Sequence, residues 1–151
     1  MFENKESLQA EGNKIVAEWE QERKKIEASK ADLQEADLSN LKLMGSDLSS
    51  ANLTGADLTS AYLIKANLQN ADLTNADLTE AVLSDADLSG ANLESAELSD
   101  TYLHGANLTD VKNLTCDQLE LANFDKETKL PAYISVTWGT NGGCQCTELE
   151  K

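Results

Sequence analysis

A leucine stands at every fifth position from Leu33 to Leu108, without a miss, and that period rules out most ways of folding. On an α-helix five residues turn 500°, so the leucines would spiral over every side; a strand of period two scatters them over both faces. A chain that turns a corner every five residues brings them together. Two positions before each leucine stands Ala in thirteen of the sixteen units, with Leu41, Ser46 and Thr101 as exceptions. One large and one small residue per side fill a narrow bore without overpacking it. Four sides close a square. The reading is therefore a solenoid over residues 31–110, with twenty residues per coil and about four coils stacked at the inter-strand spacing of about 4.8 Å. The last position of each unit is mostly Gly, Asn, Asp or Ser, residues that accept positive φ or bond locally in turns.

Units such as Ala31-Asp32-Leu33-Gln34-Glu35 and Ala51-Asn52-Leu53-Thr54-Gly55 resemble those of the pentapeptide repeat proteins. The resemblance covers about half of the chain. It implies an all-β solenoid, a right-handed quadrilateral β-helix with the central Leu and preceding Ala inside. Such proteins are abundant in cyanobacteria, and most have no assigned activity. Some members resemble duplex DNA in shape and charge and bind DNA gyrase.

Every fourth unit falls on one face, and the residue before the centre points outward. Three faces carry only Asp, Asn or Glu there. The third carries Lys42, Tyr62, Val82 and Tyr102, with Met44 and Ile64 just after the centre. Four odd units would share one column by chance in roughly one of 450 arrangements under this stacking. The strip of Lys42, Met44, Tyr62, Ile64, Val82 and Tyr102 is a candidate interface, since contiguous apolar patches tend to mark contacts. Stacking of aromatic and β-branched residues between coils, the chain's own tail, or self-association would account for the same pattern. The second face is acidic throughout: Asp37, Asp57, Asp77 and Glu97. It reads as a ladder imitating a phosphate strand, or as a solvated face.

Charge narrows the function. The chain's formal charge is −15, and the repeats hold 14 acidic residues against 2 basic ones. Such a body repels phosphate backbones and anionic membranes, so neither direct nucleic-acid nor membrane binding is expected. No run of apolar residues is long enough for a transmembrane helix. The first residues lack the basic and apolar regions of a signal peptide, and the expected location is cytoplasmic.

The flanks read as caps. Residues 1–30 form an N-terminal helical cap, with a helix over 5–29 either continuous or broken at Gly12-Asn13. Leu8, Ile15, Trp19 and Ile26 lie on one stripe. The stripe would cover the first coil or pair with another subunit, and the helix is longer than a lid requires. Residues 111–133 form a C-terminal cap. Its short helix opens with a Thr115/Gln118 capping box, and Leu119, Phe124, Leu130 and Tyr133 cover the last coil. Residues 134–151 read as an extended or mobile tail, with Ile134–Trp138 a strand or arm.

Three cysteines, 116, 144 and 146, do not make a disulfide framework. They read as free thiols, with a Cys116 bridge to the tail as the lesser alternative. No phosphate loop, nucleophile pattern or metal motif surrounds the single histidine, His104. The expectation is no catalysis and no cofactor. What remains is a protein-interaction or structural module, binding a protein partner or itself, with an acidic DNA mimic for a gyrase-type topoisomerase as the alternative.

Overall fold

The structure is a computed structural model, and it describes residues 3–150. Helix α1 spans Glu3–Ala28 without a break at Gly12, and a 3-10 turn over Lys30–Asp32 leads into the repeats. Helix α2 is Cys116–Leu121. Strands β1 (Ile134–Trp138) and β2 (Cys144–Glu148) form an antiparallel hairpin.

Between the helices the chain forms a β-helical solenoid. Parallel bridges join residues twenty apart in four columns, such as Asp37↔Asp57↔Asp77↔Glu97 and Lys42↔Tyr62↔Val82↔Tyr102. Each column is tied by paired backbone bonds. Leu38 N–H donates to Asp57 O at 2.8 Å, and Asp57 N–H donates to Ala36 O at 2.9 Å. From Leu38 to Leu108 every central leucine is at most 1% exposed. Burying such a side chain is worth about 1.5–3 kcal/mol, so this column is the main cohesive force. Thr101 fills a small-residue slot by donating its hydroxyl to Leu78 O at 2.7 Å.

The corners explain the fifth residue. The N–H of each following Ala returns to the central Leu carbonyl, as from Ala56 to Leu53 O at 3.0 Å. The fifth residue is the third of that turn and sits at positive φ in all sixteen units, from +55° at Ser50 to +71° at Gly90. At Gly90 the missing side chain also matters, because a Cβ would run into Asn70 Oδ1.

The first coil has no predecessor, and the last turn of α1 supplies partners for its open edge. Arg23 Nη1 donates to Met44 O at 3.2 Å, and Asp47 N–H donates to Glu27 Oε1 at 2.9 Å. Asn52 N–H donates to Lys30 O at 2.9 Å. The cap is thus polar, and only Ile26 of the expected apolar stripe packs on the core. Leu8, Ile15 and Trp19 stay exposed, because twenty residues of α1 precede Arg23, the first to bond to the rod.

At the other end the slip at Asn113 is absorbed locally. Asn113 takes φ +59°, Leu114 goes inside at 2% exposure, and the third and fourth columns continue to Asn123 and Lys129. Helix α2 opens with the capping box of Thr115 and Gln118 and buries Leu119. Gln118 also donates to Leu93 O and Ala96 O, both at 2.9 Å. Phe124, Leu130 and Tyr133 pack beside it.

The tail is more ordered than expected. Of the two readings for Ile134–Trp138 the strand holds, and it pairs with Cys144–Glu148 in a hairpin turning at Gly139–Gly143. Cys116 and Cys146 are joined in a disulfide with Cα atoms 5.6 Å apart, which leaves Cys144 as the free thiol. Hairpin pairing brings Cys146 over α2, a proximity that a separation of 30 residues does not reveal.

Candidate functional site

Three of the four columns share a local device. The Asp, Asn or Glu before the centre accepts the backbone N–H two residues later, closing a small side-chain turn. Ser39 donates to Asp37, Thr59 to Asp57, Thr79 to Asp77 and Ser99 to Glu97, between 2.9 and 3.1 Å. The same bond recurs at Asp47, Asn67, Asp87 and Asn107 in the fourth column, and at Asn52, Asp72 and Asn92 in the first. The acidic ladder of Asp37, Asp57, Asp77 and Glu97 is therefore continuous and exposed, and each of its carboxylates also holds its own corner. Hydrogen bonds from the Ser39 hydroxyl and N–H keep the Asp37 carboxyl below its ordinary range. Asp47 is pulled down to about 2 by the Ser49 hydroxyl, then by Lys30, whose Nζ lies 3.0 Å away.

Lys, Tyr, Val and Tyr cannot close that turn, so the third column forgoes the bond in every coil. A typical bond of this kind is worth about 1 kcal/mol. Part of that is regained by stacking: Lys42 Nζ sits 3.1 Å from the centroid of the Tyr62 ring. The structure brings all six candidate interface residues onto one side. Met44, Tyr62 and Tyr102 are exposed by 39%, 38% and 43%, while Lys42, Ile64 and Val82 are half-buried. Tyr62, Val82 and Tyr102 line a shallow groove of about 330 Å³, rimmed by Ser60, Glu80 and Asp100. His104 stacks beside Tyr102 with ring centroids 6.3 Å apart. The hairpin does not cover this strip; it is fastened to α2 through Cys116–Cys146 and through Cys116 N–H, which donates to Glu148 Oε1 at 2.9 Å.

Two features lay beyond the sequence reading. Val16, Trp19 and Arg23 of α1 line a small cleft with Lys42 and Met44, so the strip continues onto the helix. A larger cleft of about 1060 Å³ opens at the C-terminal end between Lys112, Leu114, Pro131, Tyr133 and Glu148. There Tyr133 ties the slipped coil, accepting from Leu114 N–H at 3.1 Å and donating to Val111 O at 2.9 Å. Burial raises the pKa of that hydroxyl. Only the crossing of chain segments makes either cleft, so no local motif announces them. Among the described residues, no group of three His, Cys, Asp or Glu side chains could hold a metal ion. No described helix is long and apolar enough to cross a membrane.

The profile of the pentapeptide repeats family matches eight copies, over residues 27–49, 42–79 and 76–112. The chain belongs to the pentapeptide repeat family. With that membership the solenoid is a right-handed β-helix. No curated protein sequence matches this pentapeptide repeat protein. Among solved structures it is similar to Rfr23, a pentapeptide repeat protein from the cyanobacterium Cyanothece 51142. Identity is 38%, over 64% of this chain and 62% of that one, with a TM-score of 0.43. HetL from Nostoc sp. strain PCC 7120, involved in heterocyst differentiation regulation, is 34% identical over 62% of this chain and 38% of its own, at a TM-score of 0.37. A pentapeptide repeat protein from the Arabidopsis thaliana thylakoid lumen is 28% identical over 73% of this chain and 70% of its own, at a TM-score of 0.41. The chain thus spans less than two thirds of Rfr23 and of HetL.

Proposed function

We propose that this pentapeptide repeat protein is a non-catalytic interaction module whose third face is its contact surface. The reading takes the solenoid as a quadrilateral of about four coils between helical and hairpin caps. The observation that carries it is the loss of the corner bond throughout one column in favour of Lys42, Tyr62, Val82 and Tyr102. A rod selected for stability alone would keep Asp or Asn there, as the other columns do. The exposed tyrosines, with Glu80 and Asp100 at the rim, suit a protein partner that brings apolar side chains flanked by cations.

The test compares capture of proteins from the native host by three baits. These are the parent, Tyr62→Ser/Tyr102→Ser, and a ladder variant with Asp37, Asp57 and Asp77 changed to Asn and Glu97→Gln. Asn and Gln keep an oxygen for the corner bond while removing charge. The expected result is a partner held by the parent and the ladder variant and lost from the tyrosine variant. Equal capture by all three overturns the third-face reading.

The exposed second column favours one further reading, an acidic mimic of a phosphate strand directed at a gyrase-type topoisomerase. That reading predicts inhibition of gyrase supercoiling by the parent and its loss in the ladder variant. No inhibition at high micromolar protein removes it. As for location, disulfides are rare in reducing cytosol and persist in oxidising compartments. The Cys116–Cys146 bond therefore favours an oxidising compartment over the cytoplasm expected from sequence, and it weighs against the topoisomerase reading, whose target acts on DNA in a reducing compartment.

A further inference from the structure

We infer that helix α1 pairs antiparallel with α1 of a second copy of this chain, on a surface separate from the third-face groove. Helix α1 has 26 residues, about 39 Å at the α-helical rise; its hydrogen bonds and core packing to the rod lie at Arg23, Ile26 and Glu27, and beyond them only the edge of the small cleft with Lys42 and Met44 reaches Trp19 and Val16. Leu8, Ile15, Val16 and Trp19 are 63%, 45%, 48% and 41% exposed. A projecting helix of this composition gains little from its own chain, since most helix stability in proteins comes from packing an apolar face.

The seam has the spacing of a helix pair. Lys5, Leu8, Gly12, Ile15, Trp19, Glu22 and Ile26 recur at alternating steps of three and four. Laid antiparallel so that facing residue numbers sum to 27, Leu8 meets Trp19 of the second copy, Gly12 meets Ile15, and Lys5 meets Glu22. Both charged seam positions then face their opposites. A Cβ built on Gly12 has no heavy atom within 4 Å, so the notch there is open to a neighbour's side chain. That notch gives a use to a glycine that otherwise weakens a helix interior. Parallel pairing would instead set Lys5 on Lys5 and Glu22 on Glu22.

Charge selects the occupant and the direction. The helix holds seven acidic and five basic residues, whereas the repeats hold 14 and 2, so two copies meet with far less repulsion along α1 than along their rods. Antiparallel pairing also sends the two acidic rods to opposite ends. Glu11 and Glu18 flank the seam and face each other across it, so the pair tightens as salt screens them.

Sedimentation equilibrium of the full chain tests this. The expected mass is twice 16.3 kDa at tens of micromolar protein. Leu8→Lys/Ile15→Lys is expected to sediment as a monomer with the thermal unfolding of the rod unchanged. Lys5→Glu alone and Glu22→Lys alone should each weaken the pair at least tenfold, and the two together should restore it. Tyr62→Ser/Tyr102→Ser should leave the dimer intact, which separates this result from failure of the third-face proposal. A monomeric parent at several hundred micromolar, a Leu8→Lys/Ile15→Lys variant that still dimerises, or single charge reversals without effect would each overturn the inference.

Discussion

Twelve residues other than glycine hold positive φ at the corners of the repeats, among them Lys65 at +57° and Glu80 at +58°. The left-handed region costs an L-residue about 1–2 kcal/mol, and glycine gives back about 0.5–1 through its greater freedom when unfolded. Lys65 is exposed. Lys65→Gly should therefore stabilise the protein by about 0.5–1 kcal/mol, read from the midpoint of urea unfolding. An unchanged or lowered midpoint would contradict the corner geometry. Asp47 offers a second check. Its folded-state value of about 2 lies below its ordinary 3.8. Its contribution to stability is therefore complete above about pH 4 and lost as pH falls through about 2. Carboxyl carbon shifts followed by NMR should give an Asp47 midpoint near 2. A midpoint near 4 would mean that the Ser49 and Lys30 bonds are not made.

The most conditional of the elements is the C-terminal hairpin. Strand β1 buries Ile134 and sets Trp138 near Phe124, with ring centroids 5.6 Å apart, while β2 is exposed at four of its five residues. What holds β2 is the pairing to β1, the Cys116–Cys146 bond and the exposed hydrogen bond from Cys116 N–H to Glu148. Closing a loop of that length is worth about 3–4 kcal/mol on the chain-entropy account. Reduction, or Cys146→Ser, should speed amide exchange in Ile134–Glu148 by about 100-fold or more, because 1.4 kcal/mol corresponds to a factor of ten. The columns from Leu38 to Leu108 should keep their protection, because their hydrogen bonds run between coils. Exchange of the hairpin unaffected by reduction would mean that packing alone holds it. The sequence carried part of this. Asn141-Gly142 is a turn signal, and Gly142 takes φ +82°. Cys144-Gln145-Cys146-Thr147-Glu148 has no apolar alternation, so nothing local in the sequence marks β2 as a strand.

At the scale of the whole molecule, stability is distributed along stacked neighbours and charge works against it. The Asp37, Asp57, Asp77 and Glu97 carboxylates stand on adjacent coils, about 4.8 Å apart by strand spacing. Each neighbouring pair repels by up to about 0.9 kcal/mol in water at low ionic strength. Changing Asp37, Asp57 and Asp77 to Asn and Glu97 to Gln should raise stability by about 1–2 kcal/mol in dilute buffer. The gain should largely vanish at 1 M salt, where the screening length is about 3 Å. A gain that persists in high salt would assign it to something other than the ladder.

The five-residue period determined the solenoid because it leaves one way to bury every leucine. A small-residue slot and a turn-prone fifth residue agree with it in nearly every unit. The odd third column was legible for the same reason: bridges twenty apart turn sequence spacing into alignment. Contacts outside the period were decided only by tertiary structure. Arg23 and Glu27 close the first coil because the end of α1 arrives at its open backbone groups, and Lys30, in the 3-10 turn that follows, meets Asn52 of the second coil. Leu114 replaces Asn113 inside because the slipped coil can rotate. Cys146 finds Cys116 because a hairpin returns over a short helix. None of these has a repeating pattern to give it away, since each depends on where two unrelated segments cross.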